Sequence, residues 1–363
     1  MKFRSFISLL IVLLVVAGPL SSIHAQDNNP QCQAFVHRAF SNLGTNCSKL
    51  EANNACYGHE DVAGMIIDGE TEPANFFSAP GYRGELTPIA RITGSPFDLA
   101  TGIWGLSKLD VQVYTDDIEN DDLTTLDDNL RDITYVPIGD VEIENALMPQ
   151  FDEDGNLMVD AETPAPWQVF FLRNGTTVPS CTQAPPPLLL VQGADDADTA
   201  ITVNGTKIKL TAGETRSPLP TTLVLQVLYP GDSMRLIVLG GLAVLNPDSS
   251  NPLLIPPGYW TIICLDEPQD RGLDGQQNDR IVSCGWSQPA LITDAMFNQL
   301  SGLQGLPGNV LKKPVIVPVI LHPSLAAGGG IRLFFRDPTL LELAREACNN
   351  NLLPPGICRL LFG

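Results

Sequence analysis

Between Cys32 and Glu60 the sequence gathers Cys32, Cys47 and Cys56 with His37 and His59. Residues of these types can do three things. They can ligate zinc, they can form a thiolate–imidazole nucleophile, or the cysteines can pair as disulfides. Zinc asks for close, paired spacing, such as Cys-x-x-Cys or two histidines one helical turn apart, and neither is present. Cys56 and His59 could form a nucleophile pair, but the sequence supplies no third group to orient the imidazole. The eight cysteines are Cys32, Cys47, Cys56, Cys181, Cys264, Cys284, Cys348 and Cys358, all beyond an export-type leader. An even number in an exported chain reads as a disulfide framework.

Oxygen ligands offer a second chemistry. "DEDGNLMVD" supplies Asp152, Asp154, Asn156 and Asp160 as a partial calcium loop. Its glycine stands fourth where an EF-hand wants it sixth, so the segment reads first as a hairpin turn and only second as a weak calcium site. The acidic stretch from Asp266 to Asp279 has the same ambiguity. Gly231-Asp232-Ser233 matches the nucleophile block of one class of lipases and esterases. Those enzymes also need Asp-x-x-His near the C-terminus, and His322 has Val319 at that place. Pro-Gly-Asp-Ser is ordinary turn chemistry. Neither a Walker loop nor Gly-x-Ser-x-Gly occurs, so no catalytic residue, cofactor or firm metal site is assigned. Asn46, Asn174 and Asn204 head glycosylation sequons, which matter only in a eukaryotic source.

The elements that would carry these residues begin with a leader. Lys2 and Arg4, an apolar run and "SSIHA" give the order of a secretory signal cleaved after Ala25, over residues 1–25. Its apolar run is short of the roughly 20 residues that span a bilayer, and later apolar runs are interrupted, so no membrane insertion is expected after cleavage. With 41 acidic residues and a net charge of −20, the surface repels phosphate backbones, and nucleic-acid binding is excluded.

Thirty prolines and 31 glycines favour turn-rich β structure over helix bundles. Cys32, Phe35, Val36, Ala39, Phe40 and Leu43 repeat at helical spacing, leaving His37 on the solvent side. Alternating runs then read as strands through residues 26–184, a cysteine-stapled α+β module. Pro185, Pro186 and Pro187 mark an expected linker over 185–198, since proline is excluded from helix interiors and central strands. A second β domain is expected over 199–290, with a hairpin turning at Asn204-Gly205. Residues 291–363 form a C-terminal segment with a helix from Pro338. No sequence period of 20 to 50 residues repeats. The fold class is therefore mainly β: two sandwich or jelly-roll-like modules, a short stapled helix first and a helix near the end.

The pieces "NNACYG", "GIWGLSKLDVQV", "ITYVPIGDVEIEN" and "FFLRNG" resemble the N-terminal module of secreted bacterial proteins of Chloroflexota type. Residues 201–265, through "VNGTKIKL", "GDSMRLIVLGGLAVL" and "IPPGYWTIICL", resemble the FecR-like β domain. FecR proteins relay a periplasmic signal through a membrane helix. This chain has no such helix after its leader, so the resemblance implies a β scaffold and brings no catalytic residues.

The expected function is that of a secreted, non-enzymatic binding protein whose partner is a protein or glycan of the cell envelope. The alternatives are a hydrolase using carboxylates from loops such as 116–128, and a structural envelope component. Cys264–Cys284 and Cys348–Cys358 each close their own loop most simply. Three connectivities remain for the other four cysteines. Cys32–Cys56 with Cys47–Cys181 is favoured, because the first would pin a helical hairpin turning near Gly44.

Overall fold

The apolar stripe of the opening segment winds onto one side of helix α1 (Pro30–Asn46), where Cys32, Phe35, Val36, Ala39, Phe40 and Leu43 are all buried. His37 is exposed, as the spacing requires. The computed structural model describes residues 30–66, 77–115, 129–146, 165–212, 220–265, 283–317 and 345. Within them the chain is mainly β, in two sheets.

Across the first sheet the order is β3 (Arg83–Glu85), β1 (Asn54–His59), β5 (Leu106–Tyr114), β6 (Leu130–Ile138), β9 (Leu188–Gln192), β12 (Thr222–Leu228), β13 (Ser233–Gly240), β16 (Tyr259–Leu265) and β17 (Ser283–Trp286). A short β18 (Ala290–Leu291) also pairs with β16. The second sheet runs β2 (Val62–Ile66), β4 (Ile89–Gly94), β7 (Val141–Asn145), β8 (Val169–Asn174), β10 (Thr199–Val203), β11 (Thr206–Leu210), β14 (Ala243–Leu245) and β15 (Leu253–Ile255).

Strand alternation sorts the side chains into two cores. Ile133, Tyr135, Leu189, Val191 and Leu225 of the first sheet meet Ile143, Phe170, Leu172, Ile201 and Ile208 of the second. The other side of the first sheet, with Val136, Ile138, Leu188, Leu190 and Val224, packs against α1 and against Leu303, Val310 and Leu311 of the C-terminal stretch. The first sheet is thus covered on both faces, which is why "LLLVQ" of β9 is buried throughout.

The chain winds by a repeated manoeuvre. It leaves a strand of the first sheet, makes a hairpin in the second, and returns beside the strand it left. The four arches are β1–(β2, β4)–β5, β6–(β7, β8)–β9, β9–(β10, β11)–β12 and β13–(β14, β15)–β16. Between β2 and β4 the chain also adds β3 to the free edge of β1. Because β9 closes one arch and opens the next, the chain visits the first sheet for a single strand there. Successive strands reverse direction, so β8 and β10 run the same way, the one parallel pair among the described strands.

Two expectations are corrected here. The stretch 185–198 is not a linker: β9 pairs with β6 on one side and β12 on the other, and both sheets run unbroken past the expected boundary between 26–184 and 199–290. The prolines stop at Pro187, one residue before the strand, so they punctuate its entry without interrupting its ladder. The cysteine pairing also differs. Cys32 joins Cys181 and Cys47 joins Cys56, with Cα separations of 5.8 and 5.6 Å. Cys47 lies at the end of α1, where the chain turns straight into β1, so it meets the nearer Cys56 while Cys32 faces the loop before β9. Cys264 pairs with Cys284 across the β16–β17 edge.

The Asn204-Gly205 hairpin forms as the dipeptide demands, with φ of 47° and 73° at the two residues. The helix described near the C-terminal side is α2 (Asp294–Leu300), capped by Thr293, whose side chain accepts from the Met296 amide. The leader and the Cys348–Cys358 pair lie outside the described residues, as does the helix expected from Pro338 apart from Arg345, which is helical. No helix among the described residues is long and apolar enough to cross a membrane.

Candidate functional site

The disulfides consume the thiols of the opening stretch. Cys56 is fully buried and bonded to Cys47, so His59 has no thiolate to activate. His59 is itself only 3% exposed. Its Nδ1 lies 3.2 Å from the Asn42 amide nitrogen, and its Nε2 has no hydrogen-bond partner. Burial, aided by the charge of Arg38, holds its pKa down to about 4, so the ring is neutral at ordinary pH. Among the described residues, no group of three or more His, Cys, Asp or Glu side chains could hold a metal ion. Asp152, Asp154, Asn156, Asp160 and the loops 116–128 and 266–279 lie outside the described residues.

The Ser233 hydroxyl donates to Asp232 at 3.1 Å, beside the β12–β13 turn in which the Gly231 amide donates to Leu228 O. That is turn geometry. The sequon asparagines are structural as well. Asn204 Oδ1 accepts from the Leu172 amide at 2.9 Å while its Nδ2 donates to Leu172 O at 3.0 Å, bridging the parallel β8–β10 pair. Asn174 Oδ1 accepts from the Val227 amide, tying one sheet to the other. Asn46 Nδ2 donates to Gly58 O.

Two polar constellations emerge that residue types alone did not single out. One is a row across the covered face of the first sheet, where Asp110, Thr134, Gln192 and Thr222 are cross-strand partners on β5, β6, β9 and β12. Lys108 Nζ meets Asp110 Oδ2 at 2.8 Å, and Thr134 donates to Asp110 Oδ1 at 2.7 Å. Gln192 donates to Thr222 Oγ1 and to Lys313 O, and accepts from the Lys313 amide, so it holds the C-terminal stretch as an added strand would. Each member is satisfied inside the fold, which makes the row a fastening. The β9–β10 turn is fastened in a similar way: Asp195, Asp196 and Asp198 pair with Lys313, Arg131 and Lys209.

The second constellation is partly exposed. On the outer side of the second sheet Arg91 bonds Glu144 at 3.0 Å, and Arg173 bonds Glu142 at 2.6 Å and Glu144 at 3.2 Å. These are register partners, Arg91 opposite Glu144 and Glu142 opposite Arg173, so the pleat itself sets the charges in a checker pattern. Met65, 41% exposed, lies opposite Arg91, and Phe171 lies opposite Glu144. The arrangement is a mixed-charge surface with apolar spots, in which both glutamates are held by arginines. Its polar alternation was visible in "VEIEN" and "FFLRN", but the partners come from strands more than 25 residues apart.

Compared with protein-family models, curated proteins and solved structures, the chain matches none.

Proposed function

We propose that this is a secreted, non-enzymatic binding protein that engages a protein or glycan of the cell envelope through the outer face of its second sheet. The observation that supports the reading is an asymmetry. From β5 to β12 the first sheet is covered on both sides, by the core and by α1 with the C-terminal stretch, whereas the outer face of the second carries the partly exposed Arg91, Glu142, Glu144, Arg173 lattice. Broad sheet faces held by a disulfide-stapled scaffold position contact residues at little entropic cost on binding. Three disulfides among the described residues fit an oxidising compartment, and the FecR-like resemblance of residues 201–265 enters only as scaffold.

The test is cosedimentation of the labelled full-length protein with envelope fractions. The wild type is expected to bind saturably, and Met65→Arg/Arg173→Ala to bind at least about tenfold more weakly with unchanged melting. Equal binding by the variant removes this face from the proposal. Turnover of model glycosides or esters would replace the proposal by the hydrolase alternative.

A further inference from the structure

Among the described residues, no carboxylate pairs with Arg235. Arg235 lies on β13, on the side of the first sheet away from the second, and is partly exposed. Of its five N–H donors, Nη1 reaches Gln226 Oε1 at a long 3.4 Å, while Nε is shut from water without a partner. The other arginines on described strands are all bonded through their guanidinium groups: Arg91 and Arg173 to glutamates, Arg131 to Asp196, and Arg83 to the carbonyls of Asn46 and Ser48. Among the described strand arginines, Arg83 and Arg235 have no carboxylate partner, and Arg83 is held by two backbone carbonyls at 2.7 and 2.8 Å, whereas Arg235 has only the long contact to Gln226. Burial pulls its pKa down, because desolvation disfavours the charged form.

Its neighbours are held in place. The indole of Trp260 lies 5.7 Å from the guanidinium carbon, and its Nε1 donates to Leu291 O at 2.9 Å. Gln226, 7% exposed, donates to Pro187 O, which leaves its Oε1 turned to Arg235. We propose that Arg235, braced by Gln226 and flanked by Trp260, forms a receptor for the carboxylate of a compact, singly charged ligand. The planar guanidinium matches a carboxylate with two parallel hydrogen bonds, and the indole offers an apolar wall to the body that carries it. The net charge of −20 repels a polyanion, so the ligand carries one negative group. This goes beyond the sheet-face reading and is independent of it, since the site lies on the other sheet.

The experiment is calorimetric or NMR titration of the full-length protein with two matched pairs: D-glucuronate against D-glucose, and N-acetyl-L-alanine against its amide. At least one carboxylate is expected to bind about tenfold or more tightly than its neutral partner, and the responding pair tells a sugar acid from a peptide-type terminus. Arg235→Gln should abolish that preference, and Arg235→Lys, which keeps the charge but loses the fork, should retain only part of it. The proposal is overturned if the wild type prefers neither carboxylate, a result that needs no variant to fold, or if Arg235→Gln binds as the wild type does.

Discussion

Cys32, in the first turn of α1, is bonded to Cys181, 149 residues further along the chain, so one bond ties the helix to the segment that leads into β9. Cys47 and Cys56, by contrast, close a separation of 9 residues. In the chain-entropy model the long loop restricts the unfolded state by about 5 kcal/mol and the short one by about 2.5 kcal/mol. Replacing Cys32 and Cys181 together by alanine should therefore destabilise more than replacing Cys47 and Cys56. Urea unfolding of the two double variants checks the order, and an equal or inverted loss would show that denatured-state compactness or packing, not loop length, sets it.

His59 makes stability depend on pH in a stated direction. Its folded pKa of about 4 lies below the ordinary 6.5, so between these values the unfolded chain binds the extra proton. Stability is retained above the unfolded value and lost as pH falls through the window, by about 3 kcal/mol between pH 7 and pH 4. His59→Gln, still able to bond Asn42, should flatten this part of the profile. Identical pH slopes for variant and wild type in denaturant titrations would count against it.

Gly105 lies where two chain segments touch. A methyl group there would run into Ser95 N and Gly94 Cα, and the Gly105 carbonyl accepts from the Gly139 amide at 2.8 Å. Gly105→Ala should cost about 3 kcal/mol through overpacking against backbone that has no free rotamer to yield. At Gly308 nothing lies within 4 Å of the added carbon, so Gly308→Ala should change stability by less than about 0.5 kcal/mol. Thermal melts of the two variants side by side decide it.

Asp110→Ala leaves the ammonium of Lys108 in a site where the two side chains are only 7% and 12% exposed. The loss should reach about 3 kcal/mol or more, because an unpaired buried charge is left behind. Adding Lys108→Met removes that charge and should recover most of the stability. If the double variant is no better than Asp110→Ala, the destabilisation comes from Thr134 losing its acceptor.

Much of the architecture was readable because local chemistry spoke without ambiguity. The stripe from Cys32 to Leu43 gave α1, Asn204-Gly205 gave its hairpin, and alternation gave the strands. What escaped was long-range. Pro185 to Pro187 resemble a linker until one knows that Leu188 to Gln192 fills the middle of a sheet covered on both sides. Lys108 and Asp110 alternate with Leu109 as solvent-facing residues would, and only the layer packed over that face buries them. The four arches show no sequence period because their connections differ in length. The Arg91–Glu144 contact depends on register between strands far apart in sequence, which no local pattern encodes.

The single passage through β9 sets where this molecule yields under load. At the parallel junction of β8 and β10, register pairing covers Thr202 with Val169 and Val203 with Phe170, supported by the Thr202 and Asn204 amides donating to Gln168 O and Phe170 O, by Gln168 Nε2 donating to Ala200 O and by the Asn204 side-chain amide clasping Leu172. In the other sheet β9 is laddered to β6 at five positions and to β12 at four. Tension applied across the strand order is therefore expected to part the β8–β10 pair before the ladders on either side of β9, which would then act as the hinge.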